Sequence, residues 1–377
     1  MNSSVDVDFE EVAQQKLDEV EASFHEKVTV AIIGKVSAGK SSLLNALFRK
    51  NKDDKLAEVG ATSGVTTKVK RFKLGEKVEI LDSPGLGDVI DENSAVTRQA
   101  MLDIDVGILV VSDSADITQK KHYDELKQHC KQVFVVLNKI DLYDKKRAAL
   151  RAVVDQWRDA LGLSPDEQIF QTCVDGYDPD YDADHELDIR GVDELRNAIL
   201  DFLREYGKDL ILAREIERKS VLAKRVIYTA LAAVAGEAFI PGSAVYISAT
   251  QATAIMSIHY IYTGEVLNKK SALAALPLFA SQSAGTNIFL WAKSVLPPTG
   301  VLDAAAAGIA TVVTLAMLTT VNWVYENGYN LDDKTELKDK FNSIYKVLKD
   351  IGLQEIFNII KNRDIDAIKK LIEKFVK

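Results

Sequence analysis

The sequence predicts an α/β domain built on a mostly parallel sheet, followed by an all-α domain. Three observations carry that expectation. Short β-branched runs alternate with helix-like stretches from Val28 to about residue 207, and no strand signal recurs beyond that point. A glycine-rich turn joins the first run to the first helix. The chain has 377 residues, enough for about two domains at ~150 residues each. Apolar residues make up 47% and charged residues 27%, which supplies material for packed cores and too little bias for global disorder.

Taken in order, residues 1–27 form the first segment. Phe9, Val12, Leu17, Val20 and Phe24 recur there at helical spacing with acids between them, which predicts an amphipathic helix packed on something else. Residues 28–207 form the α/β domain. Its strand-like runs are VTVAIIG (28–34), VEILDSPG (78–85), DVGILVVSD (105–113), QVFVVLNKID (132–141) and the shorter DEQIFQTC (166–173). A helix is expected near 146–160 and another over GVDELRNAILDFLREYG, with an acidic, turn-rich loop at 175–188 between them. Residues 208–377 form the helical domain. Its block 226–325 is rich in Ala, Gly, Ser and Thr, and 238–264, 271–292 and 304–325 contain no Asp, Glu, Lys or Arg. Two amphipathic stretches follow, one lined by Leu337, Phe341, Ile344 and Leu348, the other by Ile365, Ile368, Leu371, Ile372 and Phe375.

Composition excludes several function classes. A formal net charge of −9 argues against DNA or RNA as the main partner through bulk electrostatics. Two cysteines, Cys130 and Cys173, make neither a disulfide framework nor a cysteine-rich zinc site. His25, His122, His129, His185 and His259 show no metal spacing, and the acidic loop lacks the Gly and terminal Glu of a calcium loop. The acidic N-terminus has no apolar run after a basic start, so a cytosolic protein is expected.

The glycine-rich turn carries chemistry. Gly34-Lys35-Val36-Ser37-Ala38-Gly39-Lys40-Ser41 follows a strand and opens the helical SLLNALF that begins at Ser42, the G-x-x-x-x-G-K-S spacing in its strand–loop–helix context. Its glycines let backbone N–H groups turn inward as an anion nest, and the helix N-terminus adds partial positive charge. Lys40 then reaches β- and γ-phosphates, and the Ser41 hydroxyl suits Mg²⁺. Three more elements follow in order. Asp82-Ser83-Pro84-Gly85 ends a strand where a carboxylate holds Mg²⁺ and the Gly85 N–H faces a γ-phosphate. Ser63-Gly64-Val65-Thr66-Thr67 offers a threonine to close over the metal. Asn138-Lys139-Ile140-Asp141 places Asp141 to accept from the N1 and N2 donors of guanine, a demand that adenine fails. Asn138 is expected to tie this loop to the phosphate loop, with the Lys139 stem over the base.

With GKVSAGKSS, SGVTT, DSPG and NKID on the page, the first ~205 residues resemble a translation-factor-class GTPase domain, similar to the Era-like bacterial GTPases. The resemblance implies a P-loop fold with a six-stranded sheet and one antiparallel edge pair, 67–74 with 77–82. It implies GTP and GDP as ligands, Mg²⁺ held by Ser41, Thr66 and Asp82, and hydrolysis of GTP. Thr66 rather than Thr67 aligns with the family's threonine. A fifth element falls at Thr172-Cys173-Val174, where relatives have Ser-Ala, and assigns Cys173 to the base. Leu86 stands where Ras-like enzymes put a water-orienting glutamine, so unaided hydrolysis should be slow. The missing group then comes from another chain, another loop or a monovalent cation. Ser37 is similar to the dynamin pattern, in which dimerisation organises the site, so Lys40, Thr66 and Ser37 are the expected catalytic set and a homodimer through the GTPase face is the expected partner.

Two readings of the helical domain stand open. The run 304–325 has the ~17–25 residues a membrane span needs, with Trp323 and Tyr325 suited to an interface. The same Ala- and Thr-rich composition also suits helices buried against one another. The block around 226–325 resembles a poorly characterised helical domain fused to or encoded beside bacterial GTPases and often taken as membrane-associated. The overall plan is similar to dynamin-like and immunity-related GTPases. The expected function is a GTPase whose nucleotide state drives a helical effector domain, in the cytoplasm or at the inner face of the cell membrane with lipid as partner. A GTP-gated scaffold with negligible turnover is the alternative, and a ribosome-assembly role is third.

Overall fold

The computed structural model describes residues 3–50, 70–83, 104–179, 186–237, 243–279, 304–362 and 364–375. The chain divides into two compact units, Glu26–Ile216 and a second that joins Met1–His25 to Glu217–Lys377. The leading helix α1 (Ser3–Ser23) therefore belongs with the C-terminal helices.

The first unit holds a six-stranded sheet, β1 (Val28–Ile33), β2 (Lys70–Leu74), β3 (Val78–Ser83), β4 (Ile104–Val111), β5 (Cys130–Leu137) and β6 (Ile169–Gln171), in the order β2-β3-β1-β4-β5-β6. All neighbours are parallel except β2 and β3, where Lys70 faces Asp82 and Leu74 faces Val78. The antiparallel edge pair falls where it was expected. Every residue of β4 is buried, as a strand covered on both faces requires. Helices α2 (Lys40–Leu47), α3 (Ile117–His129), α4 (Arg147–Leu161), α5 (Val192–Glu205) and α6 (Asp209–Ile216) complete the unit. Asp116 caps α3 by accepting from the Thr118 and Gln119 amides at 2.8 and 3.1 Å, a contact of ~1 kcal/mol in such positions. Trp157 of α4 is fully buried, and its indole donates to the Asp113 carbonyl at 2.8 Å.

The parallel strands place the loops after β1, β4, β5 and β6 on one edge of the sheet. The opposite edge is fastened by Asp105, at the start of β4. Its buried carboxylate accepts from the Thr29 amide at 3.1 Å, Lys131 Nζ at 2.6 Å and Lys208 Nζ at 3.0 Å. Lys208 also donates to the Lys27 carbonyl at 2.9 Å, so the segment that enters the unit is clasped to the turn between α5 and α6. The domain boundary expected at 207 lies instead after Ile216, because Ile211, Leu212 and Ile216 of α6 are buried within this unit.

The second unit contains α1, α7 (Lys219–Glu237), α8 (Ser243–Thr263), α9 (Lys269–Ala275) with a 3-10 turn at Leu276–Phe279, α10 (Ala304–Glu326), α11 (Lys334–Ile351), α12 (Leu353–Lys361) and α13 (Ile365–Glu373). Helix α10 packs on α7, α8, α11 and α12 and buries Val312, Leu315, Leu318, Val321 and Val324 among them. It is long and apolar enough to cross a membrane over Ile309–Glu326, yet 83% of that stretch is buried inside the unit. Its polar side chains are bonded there. Gln251 donates to the Thr314 hydroxyl at 2.7 Å, Thr320 donates to the Ala316 carbonyl at 2.7 Å, and Tyr262 donates to Asn322 Oδ1 at 2.8 Å. Helix α1 buries Leu17 and Phe24, and Phe24 stacks on Tyr260 at 4.6 Å. The partner that its amphipathic pattern called for is thus α8, and of residues 1–27 the stretch Met1–His25 clusters with the helical unit. Of the run 271–292, residues 280–292 lie outside the described residues, as do the side chains of Phe9 and Val12.

Asp105→Asn leaves the buried Lys208 ammonium with only the exposed Glu26 carboxylate, at 3.5 Å, and loss of a buried partner costs ~3 kcal/mol in such pairs. Hydrogen exchange of β1 and β4 in rising urea should show the first unit opening earlier than in the parent protein, with α10 unchanged; equal protection would refute the clasp.

Candidate functional site

The phosphate loop, 34–39, leaves β1 and turns under α2. Gly34 sits where an added Cβ would lie 2.1 Å from the Val110 carbonyl oxygen, so the loop starts in contact with β4. Ser37 and Gly39 both take left-handed conformations, at φ 67° and 86°, and these reversals turn successive N–H groups inward. Ala38 and Ser42 are buried, Ser41 is half-buried at the second position of α2, and Val36 is exposed. Lys35 pairs with Asp116, which ties the phosphate loop to the cap of α3.

Lys40 is buried and donates to the Gly34 and Lys35 carbonyls at 2.7 and 3.2 Å, curled back over its own loop. Burial holds its ammonium below the ordinary lysine range, and the Asp82 carboxylate pulls it partly back up. Asp82 itself is buried near the end of β3, paired in register with Ile32 of β1. Ser41 and Asp82 together make an oxygen-only donor set beside a lysine, chemistry that fits a hard divalent cation such as Mg²⁺.

The base-reading loop leaves β5. Asn138 is buried, and its side-chain amide donates to the Ala38 carbonyl at 2.9 Å, while its Oδ1 accepts from the Thr172 hydroxyl at 3.0 Å. Lys139 stands at φ 63°, and its stem passes 3.9 Å from where a Gly39 Cβ would lie. Asp141 opens the following 3-10 turn and accepts from the Cys173 thiol at 3.3 Å. Burial and then the Asp141 carboxylate push that thiol up to about 11. The Cys173 amide donates to the Arg190 carbonyl at 3.0 Å, so Cys173 serves this site through its sulfur, and its N–H is not offered to a base.

The structure thus brings together Gly34, Lys35, Val36, Ser37, Ala38, Gly39, Lys40, Ser41, Ser42, Asp82, Asn138, Lys139, Asp141 and Cys173. Thr66, Gly85 and Leu86 lie outside the described residues. Sequence reasoning missed Asp116 and the anchoring role of Thr172. The helix-start pattern Asp116-Ile117-Thr118-Gln119 is a signal for the first, and only the fold places Thr172 beside Asn138. No cluster of metal-ligating His, Cys, Asp and Glu occurs among the described residues, and His259 bonds Tyr325 at 2.7 Å within the helical unit.

Sheet order, phosphate loop and base-reading loop define Glu26–Ile216 as a P-loop GTPase domain. Residues 29–139 match the family model described as a 50S ribosome-binding GTPase. The chain is 37% identical over 123 residues to the tRNA modification GTPase MnmE of Campylobacter jejuni, covering 30% of this chain and 27% of that protein. It is 34% identical over 143 residues to GTPase Der of Sulfurihydrogenibium sp., covering 36% and 32%. An uncharacterised protein of Acinetobacter baylyi is 33% identical over 156 residues, covering 35% and 29%. The chain therefore spans less than a third of the length of these relatives. Among solved structures, Aquifex aeolicus Era bound to GDP.AlF4- is 20% identical with a TM-score of 0.33, over 55% of this chain and 68% of that one. The G domain of the T. maritima FeoB iron transporter is 23% identical with a TM-score of 0.29, over 47% and 99%.

A bound polyphosphate raises the lowered pKa of Lys40, so nucleotide binding takes up a proton once pH exceeds the value in the free protein. Affinity for GDP should be highest below that value and fall with rising pH in the alkaline range. Calorimetry across that range in two buffers of different ionisation enthalpy should register proton uptake; its absence in Lys40→Arg assigns it.

Proposed function

We propose that this protein binds GTP with Mg²⁺, hydrolyses it to GDP and phosphate, and uses the nucleotide state to reset its helical unit. The observation that carries the reading is the contact of the two recognition loops: Asn138 bonds the phosphate loop at Ala38 and stands beside Asp141. A ligand that satisfies both loops has a guanine at one end and a polyphosphate at the other. Ser41 and Asp82, with Thr66 as the sequence expects, are the residues that would hold Mg²⁺; bound there, the metal neutralises charge on the β- and γ-phosphates. Lys40 leaves the Gly34 carbonyl for the phosphates and stabilises the charge that builds as water attacks.

Leu86 supplies no group to orient that water, so in this reading turnover is slow in the monomer and rises when two GTPase faces meet. Three large apolar side chains support such a face. Val36 in the loop after β1, Ile117 at the start of α3 and Leu142 in the 3-10 turn after β5 are 58%, 86% and 61% exposed and follow adjacent strands of the sheet. Ser37, and a monovalent cation in place of a side chain, belong to the same proposal.

We place the protein in the cytoplasm, with α10 as a core helix rather than a span. Lipid around α10 would leave Gln251 and Tyr262 without Thr314 and Asn322, their present partners. A GTP-gated scaffold, a membrane partner and a ribosomal role then become outcomes of measurement.

Single-turnover phosphate release should favour GTP over ATP, and Lys40→Ala should lower it by ~10²-fold or more, the scale of losing one charge-stabilising donor. Specific activity should rise with protein concentration, and Ile117→Asp should abolish the rise while keeping the low-concentration rate. A flat profile with monomer throughout overturns the dimer, and binding without phosphate release selects the scaffold. The intact chain should stay in the supernatant with anionic liposomes in GDP and in a non-hydrolysable GTP analogue; pelleting in either state refutes the core-helix reading.

A further inference from the structure

The far end of the phosphate-binding helix is held with unusual completeness. Helix α2 has only eight residues and ends at Leu47, so its last carbonyls need partners from elsewhere. Phe48 N–H bonds the Leu44 carbonyl, Arg49 N–H bonds Ala46 and Lys50 N–H bonds Asn45 at 2.9 Å, which is a Schellman end. That motif wants glycine at its left-handed position, yet Arg49 occupies it at φ 49°.

Two residues from much later in the chain complete the end. Arg196 of α5, buried to 4% exposure, donates from Nε to the Leu47 carbonyl at 2.8 Å and from a terminal nitrogen to the Ala46 carbonyl at 2.9 Å. Its other terminal nitrogen pairs with Asp193, which also meets Arg49. The Tyr177 hydroxyl donates to the Lys50 carbonyl at 2.6 Å. Tyr177 closes the turn that begins at Val174, directly after Cys173, and α5 begins directly after Arg190 and Gly191, where Arg190 bridges Cys173. The cationic guanidinium also sits at the negative end of the α2 dipole, whose positive end faces the phosphate loop.

We propose that Arg196, supported by Tyr177, is a positioning residue for guanine nucleotide binding. The brace fixes the C-terminal end of α2 to the elements that carry Cys173, while Asn138 fixes its N-terminal end through Ala38. With both ends held, the placement of Lys40 relative to Asp141 is fixed. The brace borders a surface cavity of about 750 Å³ lined in part by Ala46, Arg49, Tyr177 and Arg196. Water from that cavity can bond the α2 carbonyls when the guanidinium is lost. The variant therefore keeps its fold and loses the fixed placement of the helix. This proposal rests on the guanine-nucleotide reading.

The test is the release of a fluorescent GDP from the full-length protein, measured well below its unfolding midpoint. Arg196→Gln should release GDP about tenfold faster with association within twofold, and Arg196→Lys, which keeps the charge and one donor, should recover to within about threefold. Arg49→Ala, which removes the exposed partner of Asp193, should match the parent. Should Arg196→Gln fail to fold, Tyr177→Phe should release GDP about threefold faster. A lower unfolding midpoint with unchanged GDP release makes the brace structural only and overturns the proposal, as does a lysine variant no better than the glutamine one. A parent protein that binds no GDP brings down the nucleotide reading itself, a result distinct from either.

Discussion

The hydrogen bond from the Asn138 amide to the Ala38 carbonyl joins positions a hundred residues apart in sequence. Around it there is no slack. A Cβ on Gly39 would lie 2.4 Å from Asn138 Nδ2, so the phosphate loop and the base-reading loop approach as closely as two backbones and one amide allow. The same amide group accepts from Thr172, which draws the loop after β6 into the contact. Three loops thereby share one anchor, and the parallel order of β1, β4, β5 and β6 is what delivers them to it. A buried amide with both ends bonded is also hard to lose in parts, because either half left unpaired carries a desolvation penalty of ~1–3 kcal/mol.

The same logic of double attachment runs through the rest of the first unit. At the edge away from the loops, Asp105 gathers β1, β5 and the turn between α5 and α6 through Thr29, Lys131 and Lys208. The helical unit answers with its own central element, α10, wrapped by α7, α8, α11 and α12.

Much of this was legible in the chain. The four motifs carry chemistry that demands particular residue types at particular spacings, so the sheet, its antiparallel edge and the loop functions follow from them. What was not legible has physical causes. Helix α1 shows a half-apolar pattern, and a pattern states that a face is covered without stating by what; the stacking of Phe24 on Tyr260 is a contact between residues 236 positions apart. The boundary after Ile216 eluded reading because α6 is helical like everything beyond it, and only burial of Ile211 and Leu212 assigns it to the sheet unit. Hydropathy left α10 undecided because threonine hydroxyls that donate to the carbonyl one turn back, as Thr314 does to Ala310, suit a lipid-facing helix and a buried one equally. Thr314 is met in the folded unit by Gln251, a partner on another helix that no periodicity announces.

Cys173 joins the Asp141 carboxylate to the frame of the domain. A thiol is a weaker donor than the hydroxyl of a serine, so the Asp141 carboxylate is held in place here by a softer contact of 3.3 Å. The Cys173 amide is committed to Arg190, and that bridge runs on into α5 and the arginine that caps the phosphate helix. The loop therefore links Asp141 to α2 through one residue, whose main chain serves the scaffold and whose side chain orients the carboxylate. The placement of the Asp141 carboxylate is then only as good as the frame that carries Cys173.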